Sequence, residues 1–284
     1  MRRSVFSLLL AIAALSTPAF AAGIVITPVQ LGLAGAAGST VSGVINVSTP
    51  RVQDNRIRVT FGDYVIDDQG ARTEVAAAGT RSCGKWLEVD QDQFMSPERG
   101  SVPIVITARI PRDAAGSYWA AAYFEVLPKP PSFDPAKRAD RPALGMQAVP
   151  RIGVPVIVTV TGTEKYETKV QTISARRVDQ GIEANVVVQN TGNAAVLLSG
   201  AIALERGSSD VSEEIASRDI ESVTSYPGSN RILKVVFPAV EPTDGLDVHA
   251  YLRYGPGPQQ AVEGVARLSA ALAGASPGHA ATTH

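Results

Sequence analysis

The chain has 284 residues, a formal net charge of −1 at pH 7, and 45% hydrophobic residues. This near-balance of charge excludes the basic composition that nucleic-acid binding or attachment to an anionic membrane surface requires. Cys83 is the single cysteine, which excludes an intramolecular disulfide.

The first 21 residues have the pattern of a secretory signal peptide. Arg2 and Arg3 precede the apolar run VFSLLLAIAAL, and Ala19 and Ala21 supply the small residues of a cleavage site. Because the run is too short to span a bilayer, we predict cleavage after Ala21 and export to the periplasm, with no membrane span. Cleavage removes two positive charges and changes the formal charge from −1 to −3. The alternative is a buried N-terminal helix.

Strand-like segments then follow one another, separated by short turns. Seven of them alternate apolar and polar residues: GIVITPVQLGL, STVSGVINVST, NRIRVTFGDYVID, ARTEVAA, SVPIVITARI, GSYWAAAYFEVL and RIGVPVIVTVTG. The stretch DDQG, residues 67–70, indicates a hairpin turn between two of them. The pattern predicts an immunoglobulin-like domain over residues 22–162.

The remaining sequence repeats this organisation. Its strand-like segments are YETKVQTISARRV, GIEANVVVQN, AVLLSGAIALE, EIASRDI, NRILKVVFPAV, LDVHAYLRYG and QAVEGVARLS. The stretch NTGNAA, residues 190–195, is predicted to turn between the second and third of these. We therefore predict an all-β chain of two immunoglobulin-like β-sandwich domains in tandem after the signal peptide. The second domain spans residues 163–269, and residues 270–284 form a flexible tail.

A long connection interrupts the first domain after its sixth strand. The segment PKPPSFDPAKRADRPALGMQAVP, residues 128–150, contains six prolines. Connections of this length in a compact domain are usually functional or disordered. Two interpretations remain open: a disordered excursion, or a segment that covers something beside the following strand.

That following strand, RIGVPVIVTV, contains a proline within a strongly alternating pattern. Its apolar row includes Ile152, Val154, Val156 and Val158. Pro155 lacks a backbone donor, which a central strand tolerates poorly, so the strand is predicted to lie at a sheet edge. An exposed edge can recruit another chain. The alternative is an ordinary core strand, which the apolar residue Ile157 on the opposite face favours.

Residues suited to catalysis are sparse. The chain has three histidines, and it contains no HExxH, CxxC, GxSxG or phosphate-binding glycine loop. We predict that the chain is not an enzyme, has no cofactor and no metal, and carries His249 on a strand surface. Cys83 is predicted to be buried and chemically inert.

Two neighbouring aromatic residues in the sixth segment, Tyr118 and Trp119, should point to opposite faces of one strand. Trp119, which carries the larger ring, is predicted to lie in the core.

Three stretches resemble the periplasmic pilus-assembly chaperones (PapD-like). ARIPRDAAGSYWAAAYFEV, residues 108–126, is similar to the end of that family's fifth strand and to its sixth strand, with Pro111 and Asp113 before the aromatic pair. GIVITPVQLGL is similar to the first strand, with Pro28 at its kink. NVVVQNTGNAAVLL is similar to the second and third strands of the family's second domain.

This resemblance implies a chaperone that donates a strand to an incomplete fimbrial or surface subunit. The donated side chains would be Ile152, Val154, Val156 and Val158, and an outer-membrane usher would be a further partner. The family holds the subunit's terminal carboxylate with basic residues, but the first strand here has none. Arg151 is the candidate anchor. The alternative is a non-chaperone immunoglobulin-like scaffold, periplasmic or on the cell surface, that binds another protein.

Overall fold

The computed structural model describes residues 24–48, 56–76, 79–95, 100–127, 149–208, 211–240, 245–255 and 260–268. The predicted signal peptide and tail lie outside these residues. Over the described residues the chain is almost entirely β-structure, with one turn of 3-10 helix at Gly84–Trp86. No helix among them is long and apolar enough to cross a bilayer.

Ten strands form the described part of the first domain. In chain order they are β1 (Val25–Thr27), β2 (Leu31–Gly35), β3 (Thr40–Ser48), β4 (Arg56–Ile66), β5 (Arg72–Val75), β6 (Leu87–Val89), β7 (Gln93–Met95), β8 (Ser101–Arg109), β9 (Gly116–Leu127) and β10 (Arg151–Val160). One sheet has the order β1-β3-β8-β6, and the other has the order β2-β10-β9-β4-β5, with β7 paired to β4. Two sheets that face each other make this domain a β-sandwich.

The inner faces of the two sheets supply the core of the first domain. Alternate residues along β9 (Ala120, Ala122, Phe124 and Val126) are buried against the isoleucines of β3 and β8. Cys83 is fully buried in the same core, as predicted, and burial raises the pKa of its thiol. Its inertness stays a prediction.

Seven further strands form the second domain, as far as its residues are described. They are β11 (Thr168–Val178), β12 (Gly181–Asn190), β13 (Val196–Ser208), β14 (Val211–Ser225), β15 (Asn230–Pro238), β16 (Leu246–Tyr254) and β17 (Gln260–Arg267). The sheets β11-β12-β15 and β14-β13-β16-β17 enclose a separate apolar core that contains Phe237, Leu246 and Leu252. The all-β fold with two sandwich domains is therefore confirmed. The domain limits themselves stay a prediction.

Three strands carry one ion-pair network on the outer face of the smaller sheet. Glu183 on β12 accepts a hydrogen bond from Nε of Arg176 on β11 at 2.7 Å, and its other oxygen lies 3.7 Å from Nζ of Lys234 on β15. The hydrogen bond from Arg176 is the main cause that lowers the pKa of Glu183 to about 2. The carboxylate thereby ties the three strands together.

This network predicts acid sensitivity of the second domain. Because the pKa of Glu183 is lower in the folded than in the unfolded state, its contribution is complete at neutral pH and is lost as pH falls from about 5 to 2. In denaturant melts across this range, Glu183→Gln should flatten the decline in the free energy of unfolding. The control, Glu88→Gln, removes a solvent-exposed pair with Arg109 and should change the slope less. Identical slopes for Glu183→Gln and the wild type would contradict the assignment.

The structure modifies several predicted elements. The first predicted strand is divided at Pro28, because β1 pairs with β3 in one sheet and β2 pairs with β10 in the other. The short strands β6 and β7 were not predicted. The DDQG hairpin turn between β4 and β5 is confirmed, with Gly70 N bonded to Asp67 O at 2.9 Å and Gly70 at φ +86°. The turn at 190–195 between β12 and β13 is confirmed as well.

Candidate partner-binding edge

Strand β10 has one neighbour along its first half and two along its second half. It pairs with β9 over its full length, from Arg151 to Val160. On its other side it pairs with β2 only from Val156 onward. The segment Arg151–Pro155 therefore has one side without a partner strand among the described residues. We call this side the open edge.

Two backbone hydrogen bonds show which residues face the open edge. Val126 N donates to Pro150 O at 3.0 Å, so the even-numbered residues of β10 exchange hydrogen bonds with β9. Thr161 N donates to Gly35 O of β2 at 2.9 Å, so the odd-numbered residues face the other side. At the open edge, the backbone groups of Arg151 and Gly153 are therefore directed away from β9. The ring nitrogen of Pro155 faces the same way and removes no hydrogen bond to β9.

The four predicted partner-binding side chains of the apolar row do not share one environment. Ile152 is 36% exposed, whereas Val154 is 2% exposed and Val156 and Val158 are fully buried. The expectation that this row is accessible is therefore wrong for the three valines. They point between the two sheets and pack in the core of their own domain. Ile152 lies where the row emerges from that core.

The other face of β10 is also covered in part. Ile157 is 7% exposed, in agreement with its apolar character. The ring of Tyr123 packs closely over Gly153. A Cβ atom added to this glycine would lie only 2.8 Å from the ring. The open edge is therefore accessible at Arg151, Ile152 and Gly153, whereas Val154 and Pro155 are buried.

Arg151, the predicted carboxylate anchor, already has partners within its own domain. Its guanidinium forms ion pairs with Glu74 and Glu125, the latter at 2.9 Å, and lies 3.8 Å from the ring centroid of Tyr123. To hold a partner's carboxylate, it would have to exchange one of these glutamates. The anchor role stays a prediction.

The loop before β10 contributes one further exposed apolar residue. Residues 128–148 lie outside the described part of the chain, so both interpretations of this loop remain open. Val149, which only Pro150 separates from the strand, is 46% exposed. Val149 and Ile152 thus place two accessible apolar side chains at the start of β10.

The aromatic pair of β9 is arranged opposite to expectation. Tyr118 and Trp119 do lie on opposite faces, as predicted, but Tyr118 packs against the main core and Trp119 does not. Trp119 instead contacts Tyr226 of the second domain, with 4.9 Å between ring centroids. The prediction that Trp119 lies in the core is wrong. Tyr118 lies on the same face of β9 as the buried alanines and Phe124, and this face points into the core.

A turn of the second domain is bonded tightly to the start of β9. Asn193 O accepts a hydrogen bond from Ser117 N at 2.8 Å, and Ser117 Oγ accepts one from Ala195 N at 2.9 Å. Gly116, at φ +76°, lies so close that an added Cβ atom would be 2.2 Å from Asn193 O. These contacts hold the two domains together. Sequence patterns predicted the turn but gave no signal for this contact.

Three polar side chains of the second domain, Glu205, His249 and Tyr251, lie together on one sheet. Tyr251 Oη donates to Glu205 at 2.7 Å, which raises the pKa of Tyr251 to about 12. His249 Nε2 lies 3.7 Å from the same glutamate, which fits the predicted strand position. Among the described residues, no group of three or more His, Cys, Asp or Glu residues is arranged to hold a metal ion.

Comparison with known proteins finds similar solved structures at low sequence identity. No protein-family model and no curated protein sequence matches it. Solved structures similar to it include the class 5 fimbriae chaperone CfaA, at 14% identity and TM-score 0.47 over 86% of this chain and 98% of that one. The E. coli chaperone DraB is 13% identical, with TM-score 0.37 over 87% of this chain and 98% of that one.

A third similar structure is a complex. It is the CsuC–CsuE chaperone–tip adhesion subunit pre-assembly complex from archaic chaperone-usher Csu pili of Acinetobacter baumannii, at 11% identity and TM-score 0.44. The match covers 85% of this chain and 98% of that one. The solved structures that this chain resembles thus include periplasmic pilus chaperones, as the sequence predicts.

Proposed function

We propose that the chain is a periplasmic chaperone-like protein that binds a fimbrial or surface subunit by β-strand addition at the open edge of β10. The observation that carries this proposal is the pairing of β10, which leaves Arg151–Pro155 bonded to β9 alone. The signal-peptide pattern of the first 21 residues is consistent with the predicted compartment.

The chemistry of the open edge suits an extended polypeptide. The backbone groups of Arg151 and Gly153 would pair with an incoming strand, and main-chain hydrogen bonds supply affinity in this binding mode. Ile152 would pack against an apolar side chain or groove of the subunit. Moving a side chain of this size out of water contributes roughly 1.5–3 kcal/mol when burial is complete.

The burial of the valines limits the donated segment. Val154, Val156 and Val158 belong to the chaperone's own core, so donating them would open that core. The docking segment therefore consists of the start of β10, with Val149 and Ile152 as its accessible apolar residues. The valines support this segment from within the domain.

An immunoglobulin-like scaffold that binds another protein through loops is the second candidate function. The complete burial of Val156 and Val158 favours it, because any sandwich strand with an inward apolar face has this pattern. The two candidates differ in whether the backbone of the open edge takes part in binding.

Ile152→Asp should weaken capture of a subunit that lacks one strand of its own fold by about tenfold or more, because a carboxylate replaces the apolar contact. The measurement is the yield and the Kd of the soluble complex on co-expression. Val44→Asp is the matched control, since Val44 is 44% exposed on the opposite sheet, and it should leave capture unchanged.

Hydrogen exchange separates the two candidate functions. In strand addition, the amides of Arg151 and Gly153 become protected when the complex forms. Protection confined to loops, together with wild-type affinity of Ile152→Asp, would refute the proposal and leave the scaffold function.

A further inference from the structure

The hairpin formed by β4 and β5 reaches the second domain at its turn. Ile232 N on β15 donates a hydrogen bond to Asp68 O at 2.8 Å. Gly70 in the same turn makes room for the guanidinium of Arg231, because a Cβ atom added to this glycine would overlap Nη1 of the arginine. The turn and β15 are therefore packed directly against each other. We call this contact of Asp68 and Gly70 with Arg231 and Ile232 the hairpin junction.

Two guanidinium groups from different domains lie at the hairpin junction. Arg231 belongs to β15, and Arg72 begins β5 directly after the turn. Burial lowers the pKa of Arg231, and the charge of Arg72 lowers it further, whereas the charge of Asp67 opposes this shift. The two arginines are therefore close enough for their like charges to repel each other.

The positive charge at the hairpin junction is not matched by a paired carboxylate. Within the described residues, neither Arg72 nor Arg231 forms an ion pair. Asp67 uses its Oδ1 to accept a hydrogen bond from Ala71 N at 2.8 Å. Nε and Nη1 of Arg231 are buried and have no hydrogen-bond partner in the described part of the chain. Because buried charges in native proteins are normally paired, this guanidinium lacks an acceptor that the described residues do not supply.

A pair of tyrosine hydroxyls adds a further donor. Tyr64 Oη and Tyr226 Oη lie 3.0 Å apart and share a hydrogen bond across the domain boundary. Burial raises the pKa of both hydroxyls, and the charge of Arg72 opposes this rise in both, so its guanidinium lies near the pair. A hydrogen bond between two hydroxyls uses only one of their two protons. The other proton is available to a further acceptor.

The hairpin junction can be reached by a small ion from solvent. Arg72 is an exposed residue, and Nη2 of Arg231 is not one of that side chain's buried nitrogens. Tyr226 also lines a cavity of about 370 Å³, whose wall includes Tyr64 and Arg81. An anion therefore has a path to the two guanidinium groups and space beside Tyr226.

We propose that the hairpin junction binds a doubly charged oxyanion, phosphate or sulfate, between Arg72 of the first domain and Arg231 of the second, with a tyrosine hydroxyl as a further donor. A guanidinium suits such an anion because its parallel N–H groups bond two oxygens at once. The anion neutralises two like charges and strengthens the contact of the hairpin with β15. This site goes beyond the proposed function, and strand addition at the open edge does not require it.

Calorimetric titration of the full exported chain compares three anions at equal ionic strength. Sulfate, and inorganic phosphate in its doubly charged form, should each bind about tenfold or more tightly than the singly charged nitrate, because charge-assisted hydrogen bonds to both arginines distinguish them. Hydrogen exchange locates the site, since phosphate should slow exchange of the Ile232 amide, which is bonded across the junction. Equal affinity of the three anions, or no binding of any at millimolar concentration, would overturn the proposal.

Two substitutions remove one guanidinium each. Arg72→Gln and Arg231→Gln should each weaken phosphate binding about tenfold or more. Arg253→Gln, at an exposed position of the second domain, is the matched control and should leave the affinity unchanged. Phosphate also stabilises proteins by exclusion from their surface, and thermal melts of the control measure that general effect. Wild-type affinity for phosphate in either junction variant would refute the assigned site.

Stability without the anion separates a ligand site from a structural contact. In chloride buffer, Arg231→Gln should be at least as stable as the wild type in denaturant melts, because it removes a buried charge that has no partner. In phosphate buffer, the wild type should be the more stable of the two. If the wild type is more stable by the same margin in both buffers, the arginine is structural and the proposal fails.

The source of the oxyanion is distinguished by a fourth probe. Tighter binding of glycerol 3-phosphate than of inorganic phosphate identifies a phosphate ester as the ligand, and the reverse order identifies the free anion. Ile152→Asp should bind phosphate as the wild type does, so failure of the strand-addition proposal leaves this test unaffected.

Discussion

Val156→Asp should leave the first domain unfolded at 25 °C. Val156 is fully buried between the two sheets, and no described cation lies in the core that surrounds it. An unpaired carboxylate in such a place has to be protonated, or the strand has to move so that the carboxylate is exposed to water. Either change costs several kcal/mol. Losses above about 4–5 kcal/mol approach the whole stability of an ordinary domain.

A graded series makes this prediction sharper. Val156→Ala should cost about 2–3 kcal/mol, because two methyl groups are lost and a small cavity remains. Ile152→Asp, on the same strand and in the same apolar row, should melt within about 1 kcal/mol of the wild type because its side chain is already partly in water. Circular dichroism and denaturant melts measure both. A folded Val156→Asp protein would show that the row is accessible, as strand donation along its full length requires.

Gly116→Ala should strongly destabilise the domain junction. The residue has φ +76°, and the added Cβ atom would lie 2.2 Å from Asn193 O, a backbone atom that cannot rotate away. The left-handed conformation costs about 1–2 kcal/mol for alanine. Displacing the Asn193 turn also breaks the hydrogen bonds around Ser117, which brings the expected loss to roughly 3–5 kcal/mol.

Gly162→Ala provides the matched control. Gly162 has φ +83° and nothing within 4 Å of an added Cβ atom, so it carries the conformational cost alone. Denaturant melts should separate the two variants by about 2 kcal/mol or more. Small-angle scattering should detect altered domain geometry only for Gly116→Ala. Equal stabilities would show that the Asn193 contact contributes nothing to the junction.

Local alternation predicted most strands of this fold because burial on one face imposes a period of two. It could not predict which sheet a strand joins. The segment GIVITPVQLGL has one continuous apolar pattern, yet β1 and β2 belong to different sheets. The division depends on pairing with β3 and β10, which are distant in sequence.

At the candidate site, too, the sequence did not determine which face of a strand points into the core. Ring size suggested Trp119 for the core, but a second domain packs against the outer face of β9 and offers Tyr226 to that ring. Likewise, the alternating pattern of β10 predicted that its valines share one face of the strand, but not that this face points into the core. Only Ile152, at the end of the row, leaves the core.

Pro155 also has a consequence for the behaviour of the chain in concentrated solution. An unpaired strand edge is a template on which further copies can stack and aggregate. The proline presents no N–H at one of the three odd-numbered positions of the open edge, and β2 covers β10 from the next residue onward. Val154 and Pro155 are moreover buried, so only Arg151–Gly153 of this edge are exposed. We therefore expect identical copies to pair here over no more than three residues, while a short, specific pairing remains feasible.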